Sequence, residues 1–378
     1  MTVAAINAMI LGNERLSGIG HYVTQLVHFF GIFNATPGEN HKILVVCRDT
    51  AINHLMDIPN VEIVPVSLRE GRIARVRFEQ FGLPKLLRSR QVEVLLNPAF
   101  TGPLWGPPRI LTTVHDLYFR IVPDLLPLAQ RLFLSTLVPL CCRRSRHVIT
   151  PSEATRKDLV RFYPRLDKKA VVVPLANRLQ GASVPLPAPD RKEPPFVLLV
   201  AALTGNKNVE PLVAAIAKLR AKHPELTLLH IGKDPDHQLA HAMARHNGES
   251  WIQSRTNVSD VELKSAYRDC LCLAIPSLYE GFGLPLLEAQ AFGAPVVSSN
   301  RGSLPEVGGE GALYVDPTRD DAIAAAIDRM ITSPEIRQTL REAGFNNQKR
   351  FSWEKTAKIT WDLMFREALP SAQLTETA

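Results

Sequence analysis

A chain of 378 residues is long enough for two domains of ordinary size, each with its own core. Apolar residues make up 46% and no low-complexity tract interrupts them, which excludes a disordered chain and leaves a soluble globular α/β protein. The net charge of +7 is uneven: residues 1–180 hold 23 Lys and Arg against 13 Asp and Glu, and the remainder 21 against 24. The basic half suits an anionic surface, whereas no nucleic-acid motif accompanies the charge, so nucleic acid is not expected as a partner.

Strand and helix candidates alternate from the start, the pattern of parallel sheets covered on both faces. Residues 3–10 read as a strand with no basic leader before it, so no secretory signal is expected. Ser17-Gly18-Ile19-Gly20 follows, and over residues 19–33 Tyr22, Val23, Leu26, Val27, Phe29, Phe30 and Phe33 recur at helical spacing. A G-x-G between first strand and first helix lets a phosphate or a sugar approach the backbone. Thr24 and Gln25 stand where the third glycine of a dinucleotide fingerprint would be sought, which speaks against a nicotinamide enzyme.

Further strands read at residues 42–47, 61–66, 92–97 and 110–114. Between the second and third of these, Arg69, Arg72, Arg75, Arg77, Lys85, Arg88 and Arg90 interleave with Ile73, Val76, Phe78, Phe81, Leu83, Leu86 and Leu87. Two readings stand equal: a basic amphipathic helix lying on an anionic membrane, and a solvated helix face. His115 comes just past the carboxyl end of a buried strand, on the side where open α/β sheets bind ligands; the alternative is a loop brace through Asp116. The apolar stretch 121–142 is broken by Asp124, Arg131 and three prolines, so it does not span a bilayer. A helix over 125–140, a strand at 147–150, a helix over 152–162 capped by Ser152, and a strand at 170–174 complete this half. The cysteines, Cys47, Cys141, Cys142, Cys270 and Cys272, are odd in number and form no C-x-x-C pair, which points to reduced cytoplasmic thiols and no zinc site.

Residues 178–195 hold five prolines and little periodicity, the composition of an interdomain linker. A strand at 196–202 opens the second half, followed by Thr204-Gly-Asn-Lys-Asn208 and a helix over 209–222. Lys207 either reaches a phosphate or is a surface lysine near a turn. After a strand at 226–231, Asp234 and Asp236 form a D-x-D; it is also ordinary turn and helix-cap chemistry, and no metal is assigned to it. The apolar strand 270–275 then leads into Ser277-Leu-Tyr-Glu-Gly-Phe-Gly-Leu-Pro-Leu-Leu-Glu288 and a buried helix over 284–292 ended by Gly293 and Pro295. Strand, glycine loop and helix aim the amides of Gly281, Phe282 and Gly283 and the positive end of the helix dipole at one spot, a seat for a phosphate. Glu288 falls about one turn into the helix, and a buried carboxylate there needs partners; sugar hydroxyls would serve, as would neighbouring main chain. Glu280 and Glu288 would be about 12 Å apart in rise on a continuous helix, too far for the carboxylate pair of a retaining glycosidase at about 5 Å. Strands at 296–298 and 312–315 and helices over 320–331, 335–350 and 353–369 close the chain, the last with Trp353, Trp361 and Phe365.

The segment Y-E-G-F-G-L-P-L-L-E-A from Tyr279, with seven residues between its two glutamates, resembles the signature of the retaining nucleotide-sugar glycosyltransferases of family 4, which have the GT-B fold. S-G-I-G at 17–20, T-V-H-D at 113–116, I-T-P-S-E at 149–153, S-L-P-E-V at 303–307 and F-S-W-E at 351–354 stand in the order expected of that family. The resemblance implies an α/β chain of two Rossmann-like domains with parallel sheets facing a cleft. An acceptor-side domain would occupy 1–177, a linker 178–195, a nucleotide-sugar domain 196–350, a helix crossing back to the first domain 351–370, and a flexible tail 371–378.

By position, it implies that Glu288 binds the donor ribose, and that Glu280, with Gly281, Phe282, Gly283 and Leu284, holds donor sugar and phosphate. Lys207 would neutralise the diphosphate, Gly18 and Gly20 would line the cleft, and His115 would approach the reacting sugar. One departure stands out: Asn206-Lys207 occupies the place of the family's usual Arg-Lys. Either another arginine substitutes, Arg178 or Arg301, or donor binding is weakened. The implied activity is metal-independent, retaining hexosyl transfer, with no cofactor, from a nucleotide-sugar to a lipid-diphosphate-linked or saccharide acceptor in bacterial surface polysaccharide assembly. The lean is to mannose from GDP-mannose, with the base sensed near residues 255–259, in a cytoplasmic protein that is peripheral on the inner membrane face if the basic region meets lipid. A nucleotide-sugar epimerase and a non-catalytic sugar-binding partner are the alternatives.

Overall fold

The computed structural model describes residues 1–12, 16–69, 71–179 and 195–366. Most of the expected linker and the whole of the expected tail lie outside the described residues. The chain forms two compact units: Met1–Leu117 with Ala129–Leu175 and Ser352–Ala378, and Tyr118–Leu128 with Ala176–Phe351. Residues 118–128, expected in the first half, thus group with the second.

The first unit is built on a seven-stranded parallel sheet of β1 (Val3–Asn7), β2 (Lys42–Arg48), β3 (Glu62–Val66), β4 (Val94–Asn97), β5 (Arg109–Thr113), β6 (His147–Thr150) and β7 (Ala170–Val172), in the order β3-β2-β1-β4-β5-β6-β7. Its central strands are nearly all apolar because both faces are covered. The strand order turns at β1 and β4, the kind of crevice in which open α/β sheets take ligands. β1 is shorter than its apolar run: the chain turns away after Asn7, and Leu11 closes that turn by donating to the Ala8 carbonyl. Helices α1 (Gly18–Asn34), α2 (Arg72–Arg77) and α3 (Leu83–Ser89) follow in order, and α4 (Tyr118–Ile121) belongs to the segment grouped with the second unit. α5 (Leu128–Arg144) begins three residues later than expected, because Leu126 is held extended ahead of Pro127. α6 (Glu153–Phe162) starts at Ser152, whose hydroxyl accepts from the Thr155 amide.

The basic stretch is helical but not one regular helix. A π turn, Phe78–Gly82, joins α2 to α3 and rotates Glu79 inward, where it is 4% exposed and receives the Asn7 amide at 3.5 Å. Arg75 follows it, at 3.7 Å, and so leaves the outward basic face. Arg72, Ile73, Arg77, Phe81, Lys85 and Arg88 remain exposed.

The second unit carries a six-stranded parallel sheet in the order β10-β9-β8-β11-β12-β13. In chain order its elements are β8 (Phe196–Val200), α7 (Val209–Leu219), β9 (Thr227–Ile231), α8 (Gln238–His246), β10 (Ile252–Arg255), α9 (Asp260–Asp269), β11 (Cys272–Ile275) and α10 (Leu284–Ala291). β12 (Val296–Ser299), α11 (Leu304–Gly308), β13 (Leu313–Val315), α12 (Asp320–Thr332) and α13 (Pro334–Gln348) complete it. Its core joins Val197, Leu199, Leu212, Ile216, Leu228 and Ile327 across sheet and helices.

The last helix, α14 (Trp353–Phe365), belongs to the first unit. Trp361 lies edge-on to Phe30 and Phe33 of α1, at 5.4 and 5.8 Å between ring centres, and Thr356 donates to the Pro174 carbonyl. All five cysteines are buried free thiols. Among the described residues no helix is long and apolar enough to cross a membrane.

Candidate active site

In the second unit, β11 is buried over its whole length and delivers the chain into Ser277-Leu-Tyr-Glu-Gly-Phe-Gly283. Gly283 caps α10 at φ +103°, a conformation that L side chains avoid, and a Cβ there would come within 2.7 Å of Leu304. Pro285 falls in the first turn, where no intrahelical acceptor awaits an N–H. The amides of Phe282, Gly283 and Leu284 thus open the helix, with its positive dipole end behind them. The Phe282 ring meets Phe351 edge-on at 5.7 Å, and Ser303 donates both its amide and its hydroxyl to the Glu280 carbonyl. S-L-P-E-V therefore braces the glycine loop.

Two acid–base pairs lie on this frame. Glu280 accepts from Lys207 Nζ at 2.5 Å and from the Ser277 hydroxyl at 2.7 Å. Glu288, 1% exposed, accepts from Arg178 Nε at 2.6 Å, Arg178 Nη2 at 3.3 Å and the Tyr267 hydroxyl at 2.8 Å. Burial, and then the Glu288 charge, push the Tyr267 phenol well above its ordinary pKa, so it stays a donor. Burial works against the charge on Arg178, but the bond to Glu288 and its charge outweigh it. Beside the first pair a cavity of about 20 Å³ is lined by Ala201, Lys207, Ser277, Glu280, Gly283 and Pro285, room for a single water.

Position 206 serves the main chain. Asn206 donates its amide to the Tyr279 carbonyl at 3.0 Å and accepts from the Leu278 amide through its own carbonyl. Asn208, left-handed at φ +51°, holds the carbonyls of Pro276 and Pro317. Arg301 is paired with Asp316 at 3.1 Å on the surface. The Asp234 carboxylate accepts from the amides of Gln238, Leu239 and Ala240 and so caps α8.

The first unit holds the remaining sequence-selected residues. Gly18 and Gly20 form the first turn of α1, where Ser17 accepts from the Gly20 amide at 3.2 Å. His115 is 8% exposed, between the rings of Tyr22 and Phe100, with Nε2 2.7 Å from the Pro98 carbonyl. A carbonyl only accepts, so Nε2 carries the proton and Nδ1 the lone pair. Burial lowers its pKa to about 4, which makes it a neutral imidazole at pH 7.

Sequence reasoning missed Tyr267 and Glu79. The first sits on α9, whose start is signalled by the Ser259–Glu262 capping box, but only the fold brings it to Glu288. The second, lying in a basic stretch, carried no mark of its inward turn.

Residues 18–176 match Glycosyltransferase Family 4, and residues 187–347 match Glycosyl transferases group 1. The O-antigen chain mannosyltransferase B of Escherichia coli is 29% identical over 67% of this chain and 69% of its own. The MMP alpha-(1->4)-mannosyltransferase of Mycolicibacterium hassiacum is 31% identical over 58% of this chain and 53% of its own. The solved structure of Anabaena Alr3699/HepE in complex with UDP and glucose shares the fold at a TM-score of 0.71, with 16% identity, covering 96% of this chain and 98% of that one. With one family match falling on each half and the E-x7-E corner built as described, the chain belongs to the family 4 glycosyltransferases of GT-B fold.

Proposed function

We propose that this glycosyltransferase moves a hexose, mannose from GDP-mannose, onto a lipid-diphosphate-linked or saccharide acceptor of a bacterial surface polysaccharide. The observation that carries the donor assignment is Glu288: a carboxylate 1% exposed, one turn behind the opening amides of α10. Ribose hydroxyls would donate to it while the diphosphate rests on the amides from Gly281 to Leu284 and Lys207. The Anabaena neighbour, solved with UDP and glucose, supports a nucleotide-sugar donor, and the names of the mannosyltransferase relatives support mannose.

In the proposed reaction the bond from the anomeric carbon to the diphosphate oxygen breaks as an acceptor hydroxyl attacks from the same face. Because attack and departure share that face, configuration is retained, and the hydroxyl proton passes to the departing diphosphate. Lys207 and the loop amides carry the leaving charge, and no metal is assigned a part. Glu280, oriented by Lys207 and Ser277, would accept from donor-sugar hydroxyls. Within the first unit, His115, neutral and with its lone pair on Nδ1, is the candidate for contact with a sugar hydroxyl, and Gly18 and Gly20 are the candidates at the start of α1. Transfer of radiolabelled mannose from GDP-mannose, scored against donor hydrolysis, tests the reading: transfer by the native protein and none by Glu288→Ala is expected, and selective use of UDP-glucose would move the donor assignment.

The exposed stripe of Ile73, Arg77, Phe81, Lys85 and Arg88 further supports peripheral contact with an anionic cytoplasmic-face membrane, each cation there worth about 1 kcal/mol. Co-sedimentation with phosphatidylglycerol vesicles, lost in Phe81→Asp and absent with phosphatidylcholine, is the expected result; equal sedimentation of Phe81→Asp and native protein would overturn it.

A further inference from the structure

The place where a paired arginine and lysine are expected holds one cation. Lys207 is engaged by Glu280, and Asn206 is turned to the Tyr279 carbonyl. Arg301 stays on the surface with Asp316, its side chain 43% exposed. The arginine in contact with the motif is Arg178, which lies along both oxygens of Glu288.

That contact is crowded. Two oxygens offer about four acceptor positions, and Arg178 and Tyr267 already deliver three hydrogen bonds to them. Two ribose hydroxyls arriving at the same carboxylate exceed its capacity, and Tyr267, fully buried in the core, has nowhere to go. Arg178, its side chain 14% exposed, is the donor that can give way. A guanidinium displaced within a buried corner needs another anion, because leaving it unpaired there is costly. The ligand that displaces it brings one, since in a nucleoside diphosphate the phosphates are joined to the ribose through a single methylene.

We propose that Arg178 is a donor-binding residue that exchanges partners: it holds Glu288 until the nucleotide arrives and then passes to the diphosphate, supplying the forked cation that Asn206 lacks. The inference rests on the nucleotide-sugar reading above and adds to it where the second positive charge comes from. The geometry suits Arg, whose planar fork can meet first a carboxylate and then phosphate oxygens, two at a time.

The test is titration of the full chain with guanosine, GMP and GDP, and with uridine, UMP and UDP, in the native protein, Arg178→Ala, Arg178→Gln and Arg178→Lys. Arg178→Ala is expected to weaken the diphosphate roughly ten- to a hundredfold, the worth of charge-assisted hydrogen bonds, while the nucleoside binds as well or better. Arg178→Lys should recover part of the loss. Arg178→Gln keeps a donor for Glu288 without the charge and should resemble Arg178→Ala, which guards against misreading a misfolded variant. Equal weakening of nucleoside and diphosphate would make Arg178 a mere brace for Glu288. Unchanged or tighter diphosphate binding would make it a bystander or a competitor; either result overturns the proposal. A native protein that binds neither GDP nor UDP would remove the nucleotide-sugar reading itself, and the proposal with it.

Discussion

Replacing Glu288 by Gln keeps the size of the side chain and removes its charge. Arg178 would then lie 14% exposed without its hydrogen-bonded carboxylate, keeping only the through-space attraction of groups such as Asp260, and one of its two N–H contacts would face an amide NH2 rather than an oxygen. Breaking a buried pair from one side costs about 3–5 kcal/mol, most of it the stranded charge. Tyr267 can still donate to the remaining oxygen, so its 2.8 Å bond moderates the loss only slightly. For a unit of this size each kcal/mol lowers the midpoint by roughly 2–4 °C, so a drop of about 6–20 °C is expected. Differential scanning fluorimetry of the native protein, Glu288→Gln, Arg178→Met and the double variant measures it. The double variant should regain most of the stability lost by Glu288→Gln, because removing both charges strands neither, while nucleotide binding stays lost. A single variant within about 0.5 kcal/mol of native would refute the premise that the pair is desolvated.

Gly283→Ala should destabilise the second unit by about 1–3 kcal/mol and abolish transfer, since the residue is at φ +103° and its new methyl group would strike Leu304; chemical denaturation with activity checks both. Lys207→Met should leave Glu280 partly buried with only the Ser277 hydroxyl, raising the donor KM and lowering kcat by about ten- to a thousandfold, read from initial rates at several donor concentrations. His115 carries a pH signature: its pKa in the folded state is about 4, below its ordinary 6.5, so the unfolded chain binds more protons between those values. Its contribution, about 3 kcal/mol, is complete above pH 6.5 and is lost as pH falls toward 4. Urea titrations at pH 7 and 4.5 should show a smaller difference for His115→Gln than for the native protein.

Most of the architecture was legible because parallel strands buried on both faces are apolar along their covered length, as residues 43–47, 94–96 and 272–275 are. β10 escaped because it is an edge strand: Gln253, Ser254 and Arg255 are exposed and need no apolar character. α8 was passed over behind its D-x-D, whose first aspartate turns out to be its cap. The corner itself could be read from Gly281, Gly283 and the glutamate spacing, since glycine and a helix start are local properties. The partners of those glutamates could not be. Tyr267 looks like any core aromatic, and Arg178 stands at the edge of a proline-rich tract that offers no periodicity; both reach Glu288 only through contacts distant in sequence. Glu79 was concealed for a different reason. One π turn shifts the phase of the helix, and phase is what a periodicity argument assumes.

The first unit is completed by Ser352 onward, after the whole of residues 176–351. During synthesis the second unit therefore has all its strands on hand while the first still lacks the tryptophan that covers Phe30 and Phe33. At about 5–20 residues per second the nascent N-terminal sheet waits on the order of ten seconds or more with that aromatic surface uncovered. A chain ended near residue 350 would lack the tryptophan that packs on Phe30 and Phe33, and that aromatic surface would stay open to aggregation.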